Sequence, residues 1–197
     1  MIQQQDVPRC LASQDIQELV ESGVIIGGDR KTLEGRIQPA SFEPTIGDEV
    51  FILDTENINF FRPNSKEKVY TTLLKLPARR RIRENISDGF EIKVGYTYLF
   101  PLQERISNLS KGYIVKSSPK SSIGRLFTDV RLLFDYTPSF NEVVGEEQLD
   151  DFSMWLLVQP LAFNTIVGPG LAFNQLRFLT GPEAQLSTKE LIEELKK

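Results

Sequence analysis

The sequence predicts a mainly β fold, a barrel or a sandwich, from three observations. Short apolar runs recur at intervals of about ten residues, bounded by Gly, Pro, Asn or Asp. Helical periodicity is confined to the two ends of the chain, apart from one short turn near residue 121. No internal repeat of about 20–50 residues and no low-complexity segment interrupts the pattern. A chain of 197 residues, 40% apolar and 25% charged, fits one domain with a core of its own.

Each element has its own justification. Ser13 as N-cap, Ile16, Leu19 and Val20 at helical spacing, and Gly23 as the stop predict a short amphipathic helix over residues 11–23, its apolar stripe on the core. Gly27-Gly28-Asp29 and Gly35 mark loops. Arg36 to Gly47 is extended and interrupted by Pro39 and Pro44, which suits an edge strand or a turn-rich connection. Asp48 to Asp54 reads as a strand, residues 55–68 as a polar surface loop, and Val69 to Leu76 as a further strand.

Arg79-Arg80-Arg81 with Arg83 is a basic run without an interleaved aromatic platform, so a solvated loop explains it better than an RNA or phosphate contact. Asp88-Gly89 signals a turn, and Phe90 to Val94 alternates as a strand does. Tyr96 to Leu102, Val130 to Phe134 and Phe140 to Val144 are further strands. Glu146, Glu147, Asp150 and Asp151 form an acidic run without EF-hand spacing, read as an exposed loop.

Met154 to Val158 is continuously apolar, the mark of a strand buried on both faces. Phe163 to Val167 and Leu171 to Phe178 follow, split by Gly168-Pro169-Gly170. Ser187-Thr188-Lys189-Glu190 is a capping box that opens a terminal helix over residues 187–197.

Composition narrows the chemistry. The net charge of −4 argues against a nucleic-acid partner. No apolar run reaches the length of a membrane span, and the first residues do not form a signal peptide. The lone Cys10 has no internal partner for a disulfide, which fits a reducing cytoplasm. The chain has no histidine, which excludes a Ser-His-Asp triad and a Cys-His pair. With one cysteine it also excludes Cys/His zinc sites, including that of the zinc nucleobase deaminases.

The stretch Pro119-Lys120-Ser121-Ser122-Ile123-Gly124-Arg125-Leu126 has the parts of a phosphate-binding turn. Ser121 and Ser122 are placed to cap a short helix, whose unpaired N–H groups attract an anion. Arg125 follows Ser121 by about one helical turn, so its guanidinium can close on the same phosphate. Gly124 leaves room for close approach and Lys120 adds charge. It is not a Walker loop, because no G-K-[ST] follows a glycine-rich run. The plainer reading of the same eight residues is a polar loop with a capped helix.

These residues carry a resemblance. The chain is similar to the dCTP deaminase branch of the dUTPase-like superfamily, most of all to the N-terminal half of the double-length bacterial dCTP deaminases. The matching pieces, in order, are Ile37 to Ser41, Pro101 to Arg105, Pro119 to Leu126, Arg131-Leu132, Asp135, Phe140, Glu142-Val143, Pro169-Gly170 and Asn174 to Phe178. The resemblance implies a distorted β-barrel working as a homotrimer or pseudo-trimer, with sites between subunits. It implies that Ser121, Ser122 and Arg125 hold the triphosphate of dCTP or dUTP, together with Mg²⁺, and that Lys120 and Asp135 belong to the same nucleotide site. It also implies that a glutamate activates water for attack at C4 of cytosine without zinc.

The chain departs from that pattern at the glutamate. The family's L-E-F or L-E-V strand reads Leu156-Leu157-Val158 here, so the catalytic position falls on Leu157. The acidic residue of the preceding turn falls on Asn141. A leucine transfers no proton, and loss of a general base typically costs about 10²–10⁴ in rate. Gln159 shares the strand face of Leu157 and can hydrogen-bond a base without moving its proton. Glu142 and Asp135 are the remaining candidate carboxylates, Glu142 the first choice as a displaced catalytic base.

Two functions follow from the sequence. One is a deaminase that makes dUTP from dCTP, or hydrolyses dUTP, with a displaced base. The other is a non-catalytic relative that binds nucleotide or builds the oligomer. A β-barrel adaptor without nucleotide, using the apolar faces of the first and last helices, is a third.

Overall fold

The computed structural model describes residues 8–53, 64–145 and 151–181, with scattered positions beyond. The chain is a mainly β molecule of antiparallel sheets enclosing one large core. Thirteen strands carry the fold: β1 (Ile25–Ile26), β2 (Ile37–Gln38), β3 (Ser41–Phe42), β4 (Glu49–Leu53), β5 (Arg81–Asn85), β6 (Phe90–Ile92), β7 (Thr97–Ser107), β8 (Ile114–Pro119), β9 (Thr128–Phe134), β10 (Glu142–Val144), β11 (Asp151–Pro160), β12 (Thr165–Val167) and β13 (Asn174–Leu179). Within the three described segments four α-helices join them: α1 (Ser13–Glu21), α2 (Arg30–Glu34), α3 (Val69–Lys75) and α4 (Ser121–Arg125). One sheet has the order β5-β4-β7-β11-β9, with β1 also on β7. A second runs β10-β8-β13-β3-β2, and β12 pairs with β6 in a small ribbon. Among the described residues no helix is long and apolar enough to cross a membrane.

The N-terminal helix forms as expected, with a different cap. Ala12 occupies the N-cap, and its amide donates to the Asp15 carboxylate at 2.9 Å. Ser13 is already the first helical residue, so its hydroxyl is misplaced for capping. Gly23 takes φ +76°, the left-handed conformation that closes a helix. Ile16, Leu19 and Val20 are buried.

β11 explains its own sequence. Met154, Leu156 and Val158 face the main core, while Trp155 and Leu157 face a second apolar cluster on the opposite side of the sheet. A strand covered on both faces has no polar side to present, hence the continuous apolar run.

Two expectations fail between residues 69 and 83. Val69 to Leu76 is not a strand but the helix α3, which lays Val69 and Leu73 on that second cluster. The β-forming Val, Tyr and Thr content of this stretch conceals apolar residues at positions 69, 73 and 76, a helical spacing that tertiary contact exploits. The arginine run is not a loop either. Ala78–Arg80 makes one 3₁₀ turn and Arg81 opens β5, which pairs along β4 from Arg81↔Leu53 to Asn85↔Glu49. The loop expected after Gly28 contains α2, capped by the Asp29 carboxylate on the Thr32 amide at 3.0 Å. The terminal helix, most of the loop at 55–68 and the acidic run up to Asp150 lie outside the described residues.

Candidate functional site

The turn at 119–126 is held from behind and open in front. β8 delivers it, pairing with β13 so that Asn174 lies opposite Pro119. The Lys120 amide donates to the Phe173 carbonyl at 2.9 Å, and buried Ile123 pins α4 to the core. Below this pair, Asn174 Nδ2 donates to Ser117 Oγ at 2.7 Å and Gln175 Nε2 to Ser118 Oγ at 3.2 Å.

Ser121 and Ser122 do not cap this helix. Lys120 is the N-cap by its backbone and no side chain caps the turn, because the serines lie one and two residues inside the helix. Both serines, Gly124 and Arg125 are exposed. No hydrogen bond or ion pair joins the Ser121, Ser122 or Arg125 side chains to another described residue. A Cβ at Gly124 would meet nothing within 4 Å, so the chain's own packing does not require glycine there. Lys120 is engaged: its Nζ lies 2.5 Å from Glu43 Oε2.

The other predicted site residues lie apart from the turn within the chain. Asp135 follows the far end of β9, about 20 Å along the strand from α4. It is buried, and its carboxylate accepts from the Val69 amide at 2.8 Å and the Ser153 amide at 3.2 Å. Burial raises its pKa above the usual aspartate range, and the two amides oppose that shift. Asp135 thus fastens the start of α3 to the sheet. Glu142 lies on the edge strand β10, opposite Lys116, with Oε2 3.1 Å from the ammonium. Lys116 precedes α4 by about 15 Å of strand.

Leu157 is 8% exposed and packs in the second cluster with Leu99, Leu133, Trp155 and the α3 residues Val69 and Leu73. Its cross-strand neighbours are Leu99 on β7 and Arg131 on β9. Arg131 lies over the Phe140 ring at 5.6 Å and donates to Asp129 at 3.1 Å. Gln159 Nε2 donates to Thr97 Oγ1 at 2.6 Å, which commits one end of its amide to the sheet. Asn141 has a structural reason of its own. It sits at φ +61°, a conformation Asn tolerates, and both its amide and its Oδ1 bond the backbone of Leu132, at 2.8 and 2.7 Å.

Sequence reasoning missed α3, the element that covers the Leu157 face, and missed the Lys120–Glu43 pair. The first had a signal in the apolar spacing; the second joins residues 77 positions apart and had none. A cavity of about 980 Å³ lies elsewhere, between the C-terminal end of α1 and the β7–β8 turn, lined by Glu18, Ser22, Lys111 and Tyr113 among others. It shares no residue with the turn.

Comparison with known proteins bears on the family. A search of curated proteins finds no match. Among solved structures, the chain is similar to the crystal structure of 2'-deoxycytidine 5'-triphosphate deaminase from Agrobacterium tumefaciens, at TM-score 0.79 and 23% sequence identity. The match covers 96% of this chain and 53% of that one, so the chain spans about half the relative's length. At that identity the likeness speaks for the fold. The family model described as the 2'-deoxycytidine 5'-triphosphate deaminase (DCD) N-terminal domain matches residues 8–182. The chain therefore belongs to the dCTP deaminase family, through its N-terminal domain.

Proposed function

We propose that this chain is a nucleotide-binding domain of the dCTP deaminase family that has lost the deaminase step. The observation that carries this reading is Leu157, an apolar side chain buried with Leu99, Leu133 and Trp155, where the sequence resemblance puts the family's glutamate. Attack on C4 of cytosine needs a group that takes a proton from water and returns it to the departing ammonia. Leucine does neither, and α3 packs Val69 and Leu73 into the same apolar cluster.

The turn is the part that persists. The Ser121 and Ser122 hydroxyls and the Arg125 guanidinium are exposed and uncommitted among the described residues, a donor set suited to a phosphate chain. Mg²⁺ would enter on the triphosphate, since the described residues offer no cluster of three acidic, His or Cys side chains to hold it. A chain without histidine and with one cysteine offers no Cys/His ligand set for zinc. Asp135, committed to two amides, is assigned to the fold. A cytoplasmic deoxynucleotide, dCTP or dUTP, is the ligand the family suggests, and an oligomer of three such domains is its expected setting.

The test is a calorimetric titration of the chain with dCTP and Mg²⁺. Binding that is lost in Ser121→Ala and Arg125→Ala supports the reading; equal binding in those variants removes the turn from it. The second reading, an active deaminase, is favoured by Glu142, which is part-exposed with Lys116 beside it. It requires that the chain turn over dCTP and that Glu142→Gln stop it.

A further inference from the structure

The edge of the larger sheet combines two features that the nucleotide reading leaves unused. Between Lys66 and Asn85 lie seven of the chain's 23 Lys and Arg residues against two carboxylates, Glu67 and Glu84, in a chain of net charge −4. This segment contains α3 and ends in β5, the terminal strand of its sheet. β5 pairs with β4 along one side, and among the described residues no strand pairs with the other. A free strand edge presents unpaired N–H and C=O groups.

The two faces of β5 differ. Arg81 and Arg83 lie opposite Leu53 and Phe51, on the side covered by α3. Ile82 and Glu84 point to the other side, and Ile82 is half exposed. Arg81 spends its Nε on the Leu76 carbonyl, and Arg83 pairs with Glu49. Arg79 has no ion pair among the described residues and is exposed.

We infer that the β5 edge is a docking site for an extended acidic polypeptide, which adds to the sheet as a further strand. An incoming strand would pair its backbone with the free edge and set acidic side chains beside Arg81 and Arg83. Its alternate residues would lie beside Ile82. Charge favours any polyanion, and the open strand edge with the alternation of β5 selects a polypeptide over single-stranded nucleic acid. β5 carries no aromatic side chain for bases to stack on. The ring of nearby Tyr70 is already stacked on Trp155, at 6.1 Å and 17°.

The test is fluorescence anisotropy of the full chain with a short labelled peptide alternating glutamate and valine. A second peptide of the same sequence, N-methylated at alternate residues, keeps the charge and loses one edge of strand hydrogen bonding. Binding is expected for the first peptide and not the second, weakening with salt, and falling by about tenfold or more in the double variant Arg79→Glu/Arg83→Glu. Equal binding of both peptides reduces the edge to a charged patch and overturns the inference. Tighter binding of an oligo-dT strand than of the peptide overturns it in favour of nucleic acid. No binding of any probe also overturns it, leaving the charges only to blunt an exposed edge.

Discussion

On the proposed reading, Leu157 is the residue that separates this molecule from a working member of its family. Its burial among Leu99, Leu133 and Trp155 makes it a core residue. Leu157→Ala is therefore expected to cost about 2–5 kcal/mol in chemical denaturation, as cavity-forming core changes do. A cost within about 0.5 kcal/mol, the range of a surface position, would mean that the site is open. Gly124 gives the opposite test. Nothing in the chain opposes a side chain there, and glycine is a poor helical residue. Gly124→Ala should hold or raise the melting temperature, by about 0.4–1 kcal/mol of stability. If the proposed phosphate site is correct, it should also weaken dCTP binding, because the added methyl group would stand where the phosphate approaches. Equal nucleotide affinity in wild type and Gly124→Ala would separate this glycine from the ligand.

At the scale of elements, α3 is the cover and Asp135 is its fastening. The Asp135 carboxylate satisfies the Val69 amide at the start of the helix and the Ser153 amide of β11. Asp135→Ala leaves both donors without that partner and is expected to destabilise the fold by about 1–3 kcal/mol, read by urea denaturation. Faster hydrogen exchange should centre on residues 69–76. Uniform exchange across the chain would contradict a local fastening.

This helix also marks the limit of what the sequence disclosed. The strands of the core were legible because alternation or a continuous apolar run is a local signal, as in Phe90 to Val94 and Met154 to Val158. The short helix at Ser121–Arg125 was legible from its eight residues, though its cap was misplaced onto the serines. α3 was not legible as a helix because Val, Tyr and two Thr favour a strand locally, and only contact with Phe51, Leu99 and Leu157 repays the helical choice. The double bond of Asn141 to Leu132 and the pairing of Lys120 with Glu43 depend on tertiary placement, which no local pattern encodes.

For the whole molecule, two buried carboxylates set a pH dependence. Glu104 is fully buried and accepts from the Thr45 amide at 2.7 Å and the Thr45 hydroxyl at 3.0 Å. Burial raises its pKa, as it does for Asp135. The folded chain thus holds these protons more tightly than the unfolded chain. Their contribution to stability is fully present below the ordinary carboxylate pKa of about 4 and is lost as pH rises through the raised folded values. Glu104→Gln should accordingly lose less stability than wild type between about pH 4 and neutrality. Parallel profiles would remove Glu104 from the effect. The proposed loss of the deaminase step, with nucleotide binding kept, belongs to the whole molecule. It is tested most directly by the melting temperature of the chain with dCTP and Mg²⁺, read beside dUTP formation in the same samples. Stabilisation without dUTP is expected, about 2.7 kcal/mol at a hundredfold excess over Kd. Formation of dUTP at an ordinary enzymatic rate would contradict it, because Leu157 would then not mark the loss of the catalytic step.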